Sequence, residues 1–181
     1  MNLSEIKKRW LEFLRVERRS SSHTLESYAR DLDFFIGHMG GDFDPSKVGL
    51  AEFRGFVAGL ARAGKSAPTI ARNIAAIKSF FQFMEQEEIA KNSAIQILRS
   101  PKVPKRLSKS LDAPDVFRLL DAFDKLGLPS WVAKRDRALF TLIYGAGLRI
   151  SEALGLNSSD VGGDMLRIRG KGNKDRVVPL L

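Results

Sequence analysis

The stretch Gly145-Ala146-Gly147-Leu148-Arg149-Ile150-Ser151-Glu152-Ala153-Leu154-Gly155-Leu156 sets one arginine and one carboxylate among glycines and apolar residues. Arg149 and Glu152 are three apart, so on a helix they share a face, and Ile150, Ala153 and Leu154 are expected to pack the opposite side. An arginine held that close to a core needs an anionic partner, because a guanidinium stays charged. Two partners fit: its own carboxylate, or a bound phosphate. A second stretch, Gly170-Lys171-Gly172-Asn173-Lys174-Asp175, places a lysine between glycines, which let a backbone bend tightly and approach another molecule closely. Lys171 there can act as a phosphate contact, as a proton donor, or as an ordinary solvated turn residue. ATP binding is excluded, because the Gly-x-x-x-x-Gly-Lys-Ser/Thr spacing is absent and a strand pattern, not a helix, follows the lysine.

The composition narrows what these residues act on. Thirty Lys+Arg against 21 Asp+Glu leave a charge of +9 over 181 residues, and such an excess calls for a polyanionic partner. Nucleic acid is the simplest; an acidic membrane surface also fits the charge. A membrane span does not, since no apolar run approaches the ~18 residues required, and Lys7, Lys8 and Arg9 interrupt the N-terminus before a signal-peptide core can develop. Without cysteine there is no thiol nucleophile, disulfide or thiolate metal site, which makes the cytoplasm the default compartment. Two histidines, His23 and His38, exclude a histidine-rich metal site, and no cofactor is expected.

The elements that must position these residues follow from apolar periodicity. Ile6, Trp10, Phe13 and Leu14 predict a first helix over 3–19. Ser22 or Thr24 can cap a second, which carries Leu25, Tyr28, Leu32, Phe35 and Ile36 toward Gly40-Gly41. A third runs over 50–62 through Phe53, Phe56, Val57 and Leu60. The fourth carries Ile70, Ile74, Ile77, Phe81 and Met84 as one stripe, with Arg72 nearly opposite and Lys65 in the turn before it. Phe80 and Phe83 beside the stripe read as packing rather than base-stacking groups. Residues 1–90 thus form a four-helix unit. From 91 to 110, Lys91, Arg99, Lys102, Lys105, Arg106 and Lys109 occur without an acid, and Pro101 and Pro104 forbid a regular helix. That segment is an interdomain linker, either merely solvated or a basic strap along a phosphate backbone. The second unit, 111–181, opens with a helix that Asp112 can cap and whose inner face is Val116, Leu119, Leu120 and Phe123. A helix over 131–144 delivers the chain to Gly145. After the Arg149 helix, 157–163 reads as a loop and 165–180 as a β-hairpin.

Taken together, these features resemble the tyrosine recombinase (phage integrase) family, most nearly its bacterial Xer-type members. The resemblance is carried by Thr24, Tyr28, Asp31 and Leu32 and by 70–83 in the helical unit. In the second unit it is carried by Leu142-Ile143-Tyr144-Gly145-Ala146-Gly147-Leu148-Arg149-Ile150-Ser151-Glu152 and by Ile168-Arg169-Gly170-Lys171-Gly172-Asn173-Lys174-Asp175-Arg176. It implies a mainly α fold: an N-terminal four-helix DNA-clamp domain of the SAM-like core-binding type, plus the first part of an α+β catalytic domain. It also implies roles. Arg149 would grip the non-bridging oxygens of a scissile phosphodiester, matching its donor fork to them, and Glu152 would brace it. Lys171 would protonate the leaving 5′-oxygen. Lys65, Arg72, Lys105 and Arg106 would contact DNA.

Family enzymes attack with a tyrosine, forming a 3′-phosphotyrosyl intermediate that conserves bond energy, so that exchange needs neither nucleotide nor metal. Their His-x-x-Arg motif, a further His or Trp, and the nucleophilic tyrosine lie beyond the hairpin, where this sequence stops. Tyr28 belongs to the helical unit, and Tyr144 falls on an apolar helix face where core packing is the better reading. The chain is therefore expected to be the N-terminal portion of a recombinase, binding duplex DNA without cleaving it. The implied partners are a duplex recombination site, a related recombinase subunit in a heterotetramer, and a DNA translocase, in the resolution of chromosome or plasmid dimers. The family's XerC-like branch is favoured. The other class open to the sequence is a non-catalytic DNA-binding regulator with recombinase architecture.

Overall fold

A computed structural model describes residues 2–103, 110–170 and 174–180. The chain divides into two compact units, Met1–Arg106 and Leu107–Leu181.

The first unit is built on four long helices. Helix α1 (Leu3–Val16) starts at Asn2, whose side chain accepts from the Glu5 amide while Glu5 reaches back to the Asn2 amide, so two donors that the first turn leaves open are paired. Helix α2 (Ser22–His38) is capped by Ser21, which accepts from the Thr24 amide. Neither Ser22 nor Thr24, the caps expected from sequence, plays that part, because a cap side chain bonds the amide three residues on and Thr24 occupies that donor position. Helix α3 (Leu50–Arg62) and helix α4 (Ala67–Gln86, capped by Ser66) complete the set.

In this first unit the apolar stripes expected from the spacing are turned inward. Trp10, Leu32, Phe35, Phe53, Ile74, Ile77, Phe80 and Met84 are fully buried, each contributing on the order of 1.5–3 kcal/mol by leaving water. Phe80 and Phe83 are core residues, as their flanking positions suggested. Phe35 lies at the centre of an aromatic cluster, with Phe53 stacked at 5.6 Å and Phe56 edge-on at 5.3 Å. The Trp10 indole N–H, which would otherwise be orphaned, donates to Ser79 Oγ at 3.2 Å.

The structure extends this core beyond residue 90. Helix α5 (Ala94–Ile97) lies within the segment read as linker, yet Ile95 and Leu98 are buried in the four-helix core. Asn92 holds it there. Its amide nitrogen donates to the carbonyls of Pro45 and Val48, both at 2.8 Å, and its oxygen accepts from the Ala94 and Ile95 amides. The charge pattern that suggested a linker is real; the Ile95/Leu98 spacing beneath it is a short amphipathic turn.

In the second unit, helix α6 (Ala113–Ala122) has Pro114 in its first turn, and Asp112 stands at the cap position without a side-chain bond. Val116, Leu120, Phe123 and Ala133 form one small core, the last from helix α7 (Ser130–Gly145). Helix α8 (Ile150–Leu154) is followed by a three-stranded antiparallel sheet in the order β1 (Val161–Gly162), β2 (Met165–Arg169), β3 (Asp175–Pro179). Strand β1 falls within the expected loop; it makes only two residue pairs with β2, too few for an alternation to show in sequence. Leu166 and Ile168 of β2 face inward with Leu148 and Ala153, while Met165, Arg167 and Arg169 face out.

Candidate active site

The chain reaches Arg149 through a tight connection. Helix α7 ends at Gly145, and Gly147 adopts φ +61°, a left-handed conformation that costs an L side chain about 1–2 kcal/mol. The next residue, Leu148, drops into the core at 4% exposure, so the backbone is pinned just before the arginine. Arg149 itself is the N-cap of α8.

Its side chain is 70% exposed, and Nη1 donates to Glu152 Oε1 at 2.9 Å. The other Glu152 oxygen accepts from the Arg149 backbone N–H at 2.8 Å. The arginine therefore has its carboxylate partner, while Nη2 and Nε bond no other protein group among the described residues. Glu152 is buried, and its counterpart on the far side is Arg176 of β3. Nη1 and Nη2 of Arg176 reach Oε1 and Oε2 at 2.9 and 2.8 Å in a parallel fork. The Arg176 guanidinium first, then the Arg149 amide and side chain, hold the Glu152 carboxyl far below the usual carboxylate range, against the opposing effect of burial. The carboxylate is thus held in its ionised form at neutral pH, with both oxygens bonded.

Arg176 was not singled out from sequence, although a signal was available. It pairs with Ile168 across the ladder, which places it on the inward face in phase with Val178, and a charge on that face requires a buried partner. The same pair explains why Ile150 and Leu154, expected to pack inward, are 60% and 67% exposed. With Glu152 directed at β3, the five-residue helix buries positions 152 and 153 and turns 150 and 154 outward. Tyr144, expected in the core, is 49% exposed. It shares α7 with Leu139, Leu142 and Ile143, which take the inward positions.

The other site residues are placed separately. Lys171, Lys105 and Arg106 lie outside the described residues. On either side of Lys171, the Gly170 amide donates to the Lys174 carbonyl at 2.8 Å, joining the ends of β2 and β3. Lys65 is exposed in the turn before α4. Arg72 is held by an ion pair within its own unit: its Nη2 sits 3.2 Å from Asp31 Oδ1 of α2, and Asp31 is buried while the arginine side chain is 40% exposed. Burial pushes the Asp31 carboxyl up, and the Arg72 charge opposes this. Among the described residues no cluster of three or more His, Cys, Asp or Glu is arranged to hold a metal. No helix of the described residues is long and apolar enough to cross a membrane.

The family of the chain follows from its similarity to known proteins. Residues 8–88 match the phage integrase N-terminal SAM-like domain and residues 109–181 match the phage integrase family. The chain belongs to that family, the tyrosine recombinases. Curated relatives include the tyrosine recombinase XerC of Mesorhizobium japonicum, 40% identical over 99% of this chain and 61% of the relative, and that of Rhodospirillum centenum, 41% identical over 98% and 55%. The chain therefore spans about three fifths of the length of the curated relatives it matches. A crystal structure of a lambda integrase tetramer bound to a Holliday junction shares the fold, with a TM-score of 0.78 at 18% identity over 99% of this chain and 51% of that one. XerH bound to its difH substrate in a pre-cleavage complex scores 0.64 at 19% identity over 94% and 53%.

Proposed function

We propose that this chain is the DNA-clamping domain and the first part of the catalytic domain of a XerC-like site-specific recombinase. In this reading residues 1–98, the four long helices with α5 docked on them, clamp duplex DNA, 99–110 connect, and 111–181 begin the catalytic fold. Arg149 binds the non-bridging oxygens of the scissile phosphate and stabilises the charge that develops there. Lys171 donates the proton to the leaving 5′-oxygen, and Lys65, Arg72, Lys105 and Arg106 contact backbone phosphates, Arg72 through the part of its side chain that Asp31 leaves exposed. The attacking tyrosine is neither Tyr28 nor Tyr144, so this chain alone binds DNA without cutting it. The whole enzyme cuts and rejoins DNA through a 3′-phosphotyrosyl intermediate, pairs with a related recombinase subunit, takes its cue from a DNA translocase, and resolves chromosome or plasmid dimers in the cytoplasm before cell division.

The observation that supports this most is the state of Arg149: rigidly braced on one side and open on the other, the arrangement a preorganised phosphate grip requires. The names of the relatives agree with it. The test is covalent trapping on a nicked suicide substrate. A full-length recombinase carrying this sequence should form a protein–DNA adduct, and the 181-residue chain should shift duplex DNA in a salt-sensitive manner without forming one. An adduct from the chain alone would overturn the assignment of the nucleophile, and none from the full-length protein would overturn the recombinase reading.

A further inference from the structure

The Glu152 carboxylate accepts four hydrogen bonds, two from Arg149 and two from Arg176. Two cations share one anion, and they share it unequally. Arg176 takes both oxygens with its forked edge, the strongest geometry available to a guanidinium–carboxylate pair. Arg149 is left with one side-chain bond, through Nη1. Without Arg176 the same carboxylate would be free to take Arg149 by the fork, tying up the edge that faces solvent and neutralising its charge.

The cost of keeping Arg176 shows that packing alone does not account for it. It stands opposite fully buried Ile168, on the strand face that Leu166 and Val178 share. An aliphatic residue there would extend the small core with no charge to desolvate. Gly170 is packed into the same arrangement. A Cβ at that position would come within 3.2 Å of the Lys174 carbonyl oxygen, 3.5 Å of Arg176 Nη1 and 3.8 Å of Glu152 Oε1. The mouth of the turn that carries Lys171 therefore lies directly against the pair.

We propose that Arg176 is a positioning residue: by occupying the fork of Glu152 it keeps the outer edge of Arg149 open for a phosphate, and it ties α8 to the mouth of the Lys171 turn. This rests on the reading of Arg149 as a phosphate ligand, and the experiment separates the two.

The 181-residue chain, labelled with 15N at arginine, is titrated with inorganic phosphate while the Arg149 Nε–Hε resonance is followed, assigned by its loss in Arg149→Lys. Wild type should show a saturable shift. Arg176→Met should weaken phosphate binding about tenfold or more, as expected for loss of a charge-assisted contact, with the methyl resonances of Leu166 and Ile168 retained. Adding Glu152→Gln to Arg176→Met should restore the response, because a neutral amide cannot capture Arg149; a purely structural role for Arg176 predicts further loss instead. Should Arg176→Met not fold, Arg176→Lys carries the test: it keeps the charge but not the fork and should bind phosphate more weakly than wild type. A wild-type response that persists undiminished in the Arg176 variants overturns the proposal and leaves the phosphate reading of Arg149 standing. No response in wild type overturns the phosphate reading, and the proposal with it.

Discussion

Replacing Arg72 with alanine separates a DNA ligand from a structural cation. In α4, Arg72 Nη2 lies 3.2 Å from Asp31 Oδ1; the Asp31 side chain is 4% exposed and that of Arg72 is 40% exposed. At that separation and an effective dielectric of about 20, the pair attracts by roughly 5 kcal/mol. Water reaches the arginine end, and the vacated volume would admit more, so about 2–3 kcal/mol is the expected loss on truncation. Part of the cost persists because Asp31 Oδ2 already has no hydrogen-bond partner among the described residues. For a unit of this size the loss corresponds to a fall in Tm of roughly 10–20 °C, measurable by calorimetry or circular dichroism. The sign with pH is set by the raised Asp31 carboxyl: the folded state holds its proton more tightly than the unfolded state. The penalty in Arg72→Ala should therefore be full at neutral pH and shrink as pH falls through the folded carboxyl's value toward the ordinary carboxylate range. Asp31→Asn added to Arg72→Ala should recover stability at pH 7, since a neutral amide needs no counter-charge. If Arg72→Ala keeps wild-type stability within about 0.5 kcal/mol and loses only DNA affinity, the reasoning is refuted and Arg72 acts as a DNA contact alone.

Arg149→Ala should leave the chain folded and its duplex affinity nearly unchanged while abolishing adduct formation in a full-length recombinase; unfolding of the variant would make Arg149 a structural ion-pair member instead. Asn92→Ala removes four hydrogen bonds at a buried position and should cost the helical unit roughly 2–4 kcal/mol, read as earlier denaturant unfolding, whereas a cost near zero would mean that α5 is not part of that unit. Neutralising Lys105 and Arg106 should weaken duplex binding and reduce its salt slope by up to about 2; an unchanged slope in filter binding would remove both from the DNA interface. Because the folded Glu152 carboxyl lies far below its ordinary value, its stabilisation of the second unit is complete above that ordinary value and is lost as pH falls below it. Glu152→Gln should abolish that acid-side dependence, followed by exchange of the Arg149 and Ala153 amides, and an acid dependence that survives the substitution would place its origin elsewhere.

Local physics alone determined a large part of this protein. The four long helices were legible because an apolar residue every three or four positions has only one way to bury itself, and Ile70, Ile74, Ile77, Phe81 and Met84 could belong to nothing but one helix face. The family, too, was legible, because Arg149 and Lys171 sit in long ordered motifs with little freedom of spacing. Contacts distant in sequence were decided by the fold. Asp31 and Arg72 are 41 positions apart, Glu152 and Arg176 are 24 apart, and no periodicity specifies which buried charge meets which. Helix α5 was hidden because four residues are too few for a period to register, and only the Asn92 bonds to Pro45 and Val48 show where it docks. The outward turn of Ile150 and Leu154 has the same kind of origin: hydrophobicity would bury them, but an ionised carboxylate that must meet Arg176 takes the inward position first. The sequence carried Arg149 and its brace; only the tertiary structure showed that a second arginine holds the brace from behind.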